Sequence, residues 1–334
     1  MVIEKALDRA FERAKRLYLD LKKEKIIIIS DQHIGDGKKG SDDFQINKEV
    51  YLNALNYYFE NGFFLISVGD NEELWECDFD KIFAFNREVY ELERKFFLEG
   101  RLIRIFGNHD RFWSIKSFRE QNSIFGDMEI IESLLINDKI FIAHGHQGEL
   151  ESDILWPLSR WIVRYIWKPF QRLTGIPSNS PAKNWKVRDR REEAYYKWAR
   201  EKRILFIAGH THRAMFESLS KIDRLRMRIE ELEKSIPELK EEERERVFEE
   251  IQEIKRKIER SLLENRDGKP EKRLEKEIPV PCYFNSGCCI YPNGMTGIEI
   301  ENGFIRLVKW EKKEGILRKI FEDEILEKIL SKIG

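Results

Sequence analysis

Only six histidines occur in the 334 residues, and they are confined to short motifs. His33 stands two residues after Asp31, and His109 lies in Gly107-Asn108-His109-Asp110. His144 and His146 flank a glycine, and His210 and His212 flank Thr211. Gly69-Asp70-Asn71 adds a further carboxylate. A lone histidine is usually a satisfied core or surface residue, but that reading does not account for all six together. Imidazoles, carboxylates and an amide form a donor set for a borderline divalent metal such as Mn, Fe, Co, Ni or Zn. Three His and one Asp would complete a single zinc, and this inventory is larger. A carboxylate able to bridge implies two ions about 3.5–4 Å apart, the arrangement that clamps the attacking and leaving oxygens of a phosphoryl displacement.

Five apolar runs carry these motifs. Ile26–Ile29 runs into Asp31 and His33, and Phe63–Val68 stops at Gly69-Asp70. Ile103–Phe106 stops at Gly107, Lys139–Ala143 at His144, and Ile204–Ala208 at Gly209. Each reads as a buried strand, with helices near 47–61 and 80–98 between the early ones. In open α/β sheets, sites form at the carboxyl ends of strands, so five such ends can converge on one place. Asn, His and Asp packed together at a strand end are costly to bury unless they serve a reaction or a metal.

These motifs, in this order, resemble the five ordered motifs of the calcineurin-like metallophosphoesterases. The resemblance covers about 25–213, and Tyr283-Phe-Asn-Ser-Gly287 resembles the family's closing strand. It implies a two-sheet α/β sandwich holding two divalent metals (Mn, Fe or Zn). Asp31, His33 and His212 would hold the first metal; Asn108, His144 and His210 would hold the second; Asp70 would bridge. The resemblance makes a metal-activated hydroxide the nucleophile. His109 would be the general acid or a stabiliser of transition-state charge, with Asp110 orienting its ring. His146 remains open between helping hold the first metal and standing behind the ligands. Arg111 and Arg213 each follow a motif and are candidates for phosphate oxygens. For Glu72, Glu73 and Trp75 two readings stand: pocket lining, or the acid-rich start of a helix.

Composition narrows the rest. There are 60 basic and 61 acidic residues, so the global field does not point to nucleic acid or an acidic substrate. A hydrophobic fraction of 41% supports a sizeable core. Cys77, Cys282, Cys288 and Cys289 form no CxxC and read as reduced thiols. The charged start is no signal peptide, and no apolar run approaches the roughly 18 residues of a membrane span. A soluble, cytoplasmic protein is expected.

Two insertions interrupt the core. Residues 150–203 are basic and rich in tryptophan, with Arg160, Arg164, Lys168 and Arg172 repeating every four residues. They read as a cap for an anionic, partly apolar substrate or as a contact to a membrane surface, set against a plain packed subdomain. This insert resembles the lid of UDP-2,3-diacylglucosamine pyrophosphohydrolases, although many of those enzymes carry Arg where this chain has His109. Residues 214–280 carry two apolar heptad-like runs joined near Pro237, a coiled-coil hairpin. Residues 1–24 and 313–334 read as amphipathic helices, and 281–312 as closing strands with a turn at Asn302-Gly303. The hairpin and end helices make a homodimer or another partner an expectation. The leading reading is a dinuclear phosphoesterase that hydrolyses a phosphomonoester, phosphodiester or pyrophosphate bond of a phosphate-containing substrate, lipid-linked and nucleotide substrates among the candidates. A nuclease and a metal-stabilised scaffold stand as its rivals.

Overall fold

A strand of four isoleucines has no polar face to offer water, so it must be covered on both sides. Ile26–Ile29 is buried at every position. Ile26 and Ile28 join a core between two sheets, while Ile27 and Ile29 join a second core that also takes in helical residues. The alternation of side chains along the strand therefore binds three layers together.

The structure is a computed structural model that describes residues 2–38, 42–122, 125–126, 128–148, 185–238, 241–264, 279–292 and 294–334. The first half runs α1 (Val2–Glu12), β1 (Lys15–Leu17), β2 (Ile26–Ile29), α2 (Lys48–Glu60), β3 (Phe64–Val68), α3 (Phe79–Phe85), α4 (Arg87–Leu98) and β4 (Leu102–Ile105). Then come α5 (Lys116–Gln121), β5 (Ile130–Ile131), β6 (Ser133–Ile136), β7 (Ile140–Ala143), α6 (Trp185–Lys202), β8 (Leu205–Ala208), β9 (Met215–Phe216) and β10 (Leu219–Ser220). The chain closes with α7 (Lys221–Ser235), α8 (Glu241–Glu264), β11 (Tyr283–Asn285), β12 (Met295–Glu301), β13 (Phe304–Lys312), β14 (Ile316–Ile325) and α9 (Leu326–Ile333).

The strands form two seven-stranded sheets, ordered β1-β6-β7-β8-β11-β9-β10 and β14-β13-β12-β2-β3-β4-β5. This is the expected α/β sandwich. Strands β2 to β5 are parallel, as are β7, β8 and β11. Parallel pairing puts the carboxyl ends of β2, β3 and β4 side by side at one edge, and those of β7 and β8 likewise in the other sheet. Helices α2 and α4 bury Tyr51, Leu55, Tyr58, Val89 and Phe96 against the outer face of the second sheet. Leu7 and Ala10 of α1 and Tyr195 and Trp198 of α6 share the core that includes the first sheet.

Four local expectations need correction. The N-terminal helix stops at Glu12, and Lys15–Leu17 is a strand paired parallel with β6. An available sheet edge outweighs a weak helical period. The C-terminal stretch is mostly β14, paired antiparallel with β13, and only Leu326–Ile333 is helical. The register of this pair shifts between Leu307 and Val308. Such an irregularity breaks the two-residue alternation of apolar positions and mimics a helical spacing. Its apolar positions divide: Leu317, Ile320, Phe321 and Ile325 of β14 are exposed, whereas Leu326, Ile329 and Ile333 of α9 are buried in the core that also holds Leu7 and Ala10. The helix expected over 80–98 is two, divided at Asn86, whose side-chain amide donates to Gly35 O and Ile82 O.

The hairpin of β12 and β13 turns at Asn302-Gly303 as read from sequence. Helices α7 and α8 pack through Leu232, Ile251 and Ile254. Of the cap, residues 150–184 lie outside the described residues, and so does the loop expected at 265–270. No helix among the described residues is long and apolar enough to cross a membrane. All four cysteines are buried free thiols.

Candidate metal centre

The loops that leave β2 and β3 are fastened to each other through their backbones. Asp31 N donates to Gly69 O (3.1 Å), His33 N to Asp70 O (2.8 Å) and Ile34 N to Asn71 O (2.8 Å). The turn that permits this is strained. Asp31, His33, Asp70, His210 and His212 all have left-handed φ, at 54°, 47°, 52°, 66° and 58°. Non-glycine residues held there cost about 1–3 kcal/mol each and concentrate at functional sites. Two glycines provide the room. A Cβ on Gly209 would lie 2.5 Å from Asp31 Oδ2, and one on Gly107 would overlap the Asp70 carboxylate.

The geometry gathers the expected ligands into two adjoining groups. Potential ligand atoms of Asp31, His33 and His212 lie within 4.8 Å of one another, and so do those of Asp70, His144 and His210. His212 Nε2 is 3.1 Å from Asp31 Oδ1, and His33 Nε2 is 3.3 Å from His212 Nε2. Asp70 Oδ2 stands between the groups, 3.7 Å from His33 Nε2 and 3.2 Å from His144 Nε2. All six residues are buried. His144 Nδ1 bonds Val68 O (2.9 Å), which leaves Nε2 for a ligand role. Asp31 Oδ2 accepts from Ser30 Oγ and His210 N, which leaves Oδ1 facing His212.

Asn108 bears on whether these residues fit metal ions. Its Oδ1 is buried and has no hydrogen-bond partner within the protein. A stranded carbonyl oxygen costs about 1–3 kcal/mol unless an ion or water takes it up. The donor set and this orphaned oxygen fit two divalent ions. His146 is also buried, with Nδ1 unpartnered, but it joins neither ligand group among the described residues. Burial, then the charges of His144, His210 and Arg111, push its pKa well below the usual histidine value.

The histidines and carboxylates favour each other's charged forms. Burial opposes ionisation of Asp31, yet His212 and His144 hold it down to about 2. Burial likewise opposes charge on His144, but Asp70 and Asp31 hold its pKa up to about 9.

Residues 24–214 match the Calcineurin-like phosphoesterase family, more than half of the chain. The chain belongs to that family. No curated protein matches it. As a member of this family it is a metal-dependent phosphoester hydrolase, and its clusters of His and Asp, near one another, fit divalent metal ions.

Three of the expected roles change. Asp110 does not touch His109: its carboxylate accepts from Gly107 N (2.6 Å), Asn71 N (2.8 Å) and Asn71 Nδ2 (2.9 Å). It braces the turn that presents Asn108 and His109, and burial with nearby Glu72 and Asp70 pushes it up to about 7. The partner of His109 is Glu73, whose carboxylate lies 2.8 Å from His109 Nδ1 and 3.1 Å from His33 Nδ1. Trp75 stacks on the His109 ring at 4.5 Å and 14°, and its Nε1 donates to Asn108 O. Glu73 and Trp75 thus face the His109 ring, whereas Glu72 is buried against Arg104, Tyr90 and Trp113. The signal was an acid three residues after Asp70, but nothing in one dimension tied it to His109.

Arg213 is not presented to a phosphate. Its guanidinium is buried and taken up by Glu192 and by Asp189 at 3.2 Å. Glu192 also accepts from Thr211 Oγ1 (2.8 Å). The basic helix α6 is thus clamped to the Gly209–Arg213 loop, a contact that spans 21 residues and that sequence alone did not signal. Arg111 is partly exposed beside α1 and lines a small cavity there.

Proposed function

We propose that the chain hydrolyses a phosphoester at two divalent metal ions held between the sheets. Asp31, His33 and His212 would hold one, Asn108, His144 and His210 the other, with Asp70 shared. The observation that carries this is the position of Asp70 Oδ2, one oxygen within 3.7 Å and 3.2 Å of histidines from the two groups. The N/O donor set suits Mn, Fe or Zn. Such ions supply Lewis acidity at the phosphoryl oxygens and make water acidic enough to attack at neutral pH.

The chain's own groups do the rest. Glu73 fixes His109 through Nδ1, so Nε2 is the atom left to donate. Burial disfavours charge on His109, and the Glu73 carboxylate at its Nδ1 favours the protonated ring. That pairing suits the ring to give a proton to the leaving oxygen. Trp75 covers one face of the ring and limits its rotation.

The test is turnover of an aryl phosphate and a bis-aryl phosphate with added Mn²⁺, with metal content measured in parallel. Metal-stimulated hydrolysis that falls by about a thousandfold or more in Asp70→Ala supports the reading, in line with loss of a metal's contribution of several kcal/mol. Turnover unchanged in that variant would sink it.

A further inference from the structure

The His109 loop and the His144–His146 loop both continue towards the N-terminal helix, and a cavity of about 180 Å³ lies where they meet it. Its lining is Ala6, Arg9, Arg13, Arg111, Glu132 and Gln147. Three arginines and one glutamate are among its lining residues, in a chain whose overall charge is −1. Glu132 is engaged by Arg13 at 2.9 Å. Arg9 has no carboxylate partner among the described residues, although it lines a cavity with two other arginines. An anion among these arginines would offset their mutual repulsion and accept charge-assisted hydrogen bonds.

Gln147 is the second, independent sign. It is only 2% exposed, and its Oε1 accepts from Gly145 N at 3.0 Å. That bond fixes the amide and leaves Nε2 buried with no acceptor. A stranded donor on the wall of a cationic cavity calls for an oxygen from outside the chain. Arg111 lies two residues beyond His109, and Gln147 three beyond His144, so the cavity adjoins the metal loops through both.

We propose that this cavity binds a second phosphate group of the substrate, held by Arg9, Arg13, Arg111 and the Gln147 amide while the scissile phosphate is at the metals. The proposal deepens the phosphoesterase reading and rests on it. Helix α1 then helps select the substrate, and the preferred class is a molecule bearing two phosphate groups.

The experiment uses the full-length, Mn²⁺-loaded enzyme and matched pairs of substrates. One arm compares a nucleoside 3′,5′-bisphosphate with the 5′-monophosphate in solution. The other compares a diacylglycerol pyrophosphate with the corresponding phosphatidic acid in mixed micelles. In at least one arm kcat/KM for the doubly phosphorylated member should be higher by about tenfold, the effect of one charge-assisted contact. Arg9→Ala should shrink that ratio to near unity, and Arg9→Lys should restore part of it. Dependence on Arg9 in the first arm alone assigns a soluble source, and in the second alone a lipid one. No preference in either arm, or a preference indifferent to Arg9→Ala, overturns the proposal. If no phosphoester at all is turned over, the phosphoesterase reading fails instead. Thermal stabilisation by inorganic phosphate, compared between wild type and Arg9→Ala, then judges the cavity alone: equal shifts overturn it and a smaller shift in the variant supports it.

Discussion

The metal loops and the α7–α8 hairpin are built on opposite terms. In the loops, five residues have left-handed backbone, acids and imidazoles are buried together, and a carbonyl oxygen is left without a partner. In the hairpin the helices run regularly for 15 and 24 residues, and Ser220 and Asp223 form a reciprocal capping box. Its core among the described residues, however, is Leu232, Ile251 and Ile254, with partly buried neighbours around them. The loops accept local strain because the two-sheet core over-determines them; the hairpin follows every local rule and buries little. Strain is tolerable where tertiary packing is dense, and good local propensity is needed where it is thin.

That contrast can be broken by substitution. The largest expected effect is in the loops: Asp70→Ala should abolish metal-stimulated turnover while the fold, read by circular dichroism, persists. Gly107→Ala should come next. A methyl there meets the Asp70 carboxylate and backbone, so a cost of about 1–3 kcal/mol is expected together with lost metal affinity. Thermal unfolding with and without Mn²⁺ would check it, and a variant as stable and as metal-responsive as wild type would refute the close-approach argument. In the hairpin, Leu232→Ala should cost about 2–5 kcal/mol against local opening, read by hydrogen exchange confined to α7 and α8. Phosphoesterase activity per folded molecule should stay within about twofold, because no ligand lies on those helices.

A pH effect sharpens the same division. His144 has its pKa raised to about 9 in the metal-free protein, and a metal ligand must be neutral. The stability that charged His144 lends the metal-free fold is full below its unfolded value of about 6.5 and is lost as pH rises towards about 9. Metal binding at pH 7 should therefore release protons, and the release should fade as pH passes about 9. Calorimetry in buffers of different ionisation enthalpy reads this directly. The smallest effect belongs to Ser220→Ala, which removes one cap and should cost about 1 kcal/mol with no change in metal binding.

Much of the centre was legible in the sequence because its chemistry is concentrated. Six histidines at four strand ends, with Asp70 at a fifth, have no bland explanation, and a run of four isoleucines can only be a strand covered on both faces. What misled was local too. The apolar spacing of Ile316–Ile325 reads as a helix because a register irregularity displaces the two-residue alternation. Arg213 reads as a phosphate ligand until Glu192 and Asp189, far upstream on another helix, are seen to hold it.

The sequence by itself determined the candidate donors, the sandwich class and the existence of the hairpin, since donor chemistry and hydrophobic periodicity are local properties. Only the tertiary structure decided the division of labour around His109: Glu73 at its Nδ1, Trp75 on its face, and Asp110 turned away to brace the loop. It also decided that α1 brings Arg9 and Arg13 to the side of Arg111. The physical reason is the same in each case. An ion pair, a stack or a shared cavity depends on where two segments cross, and a crossing angle between packed layers is written in no single stretch of the chain.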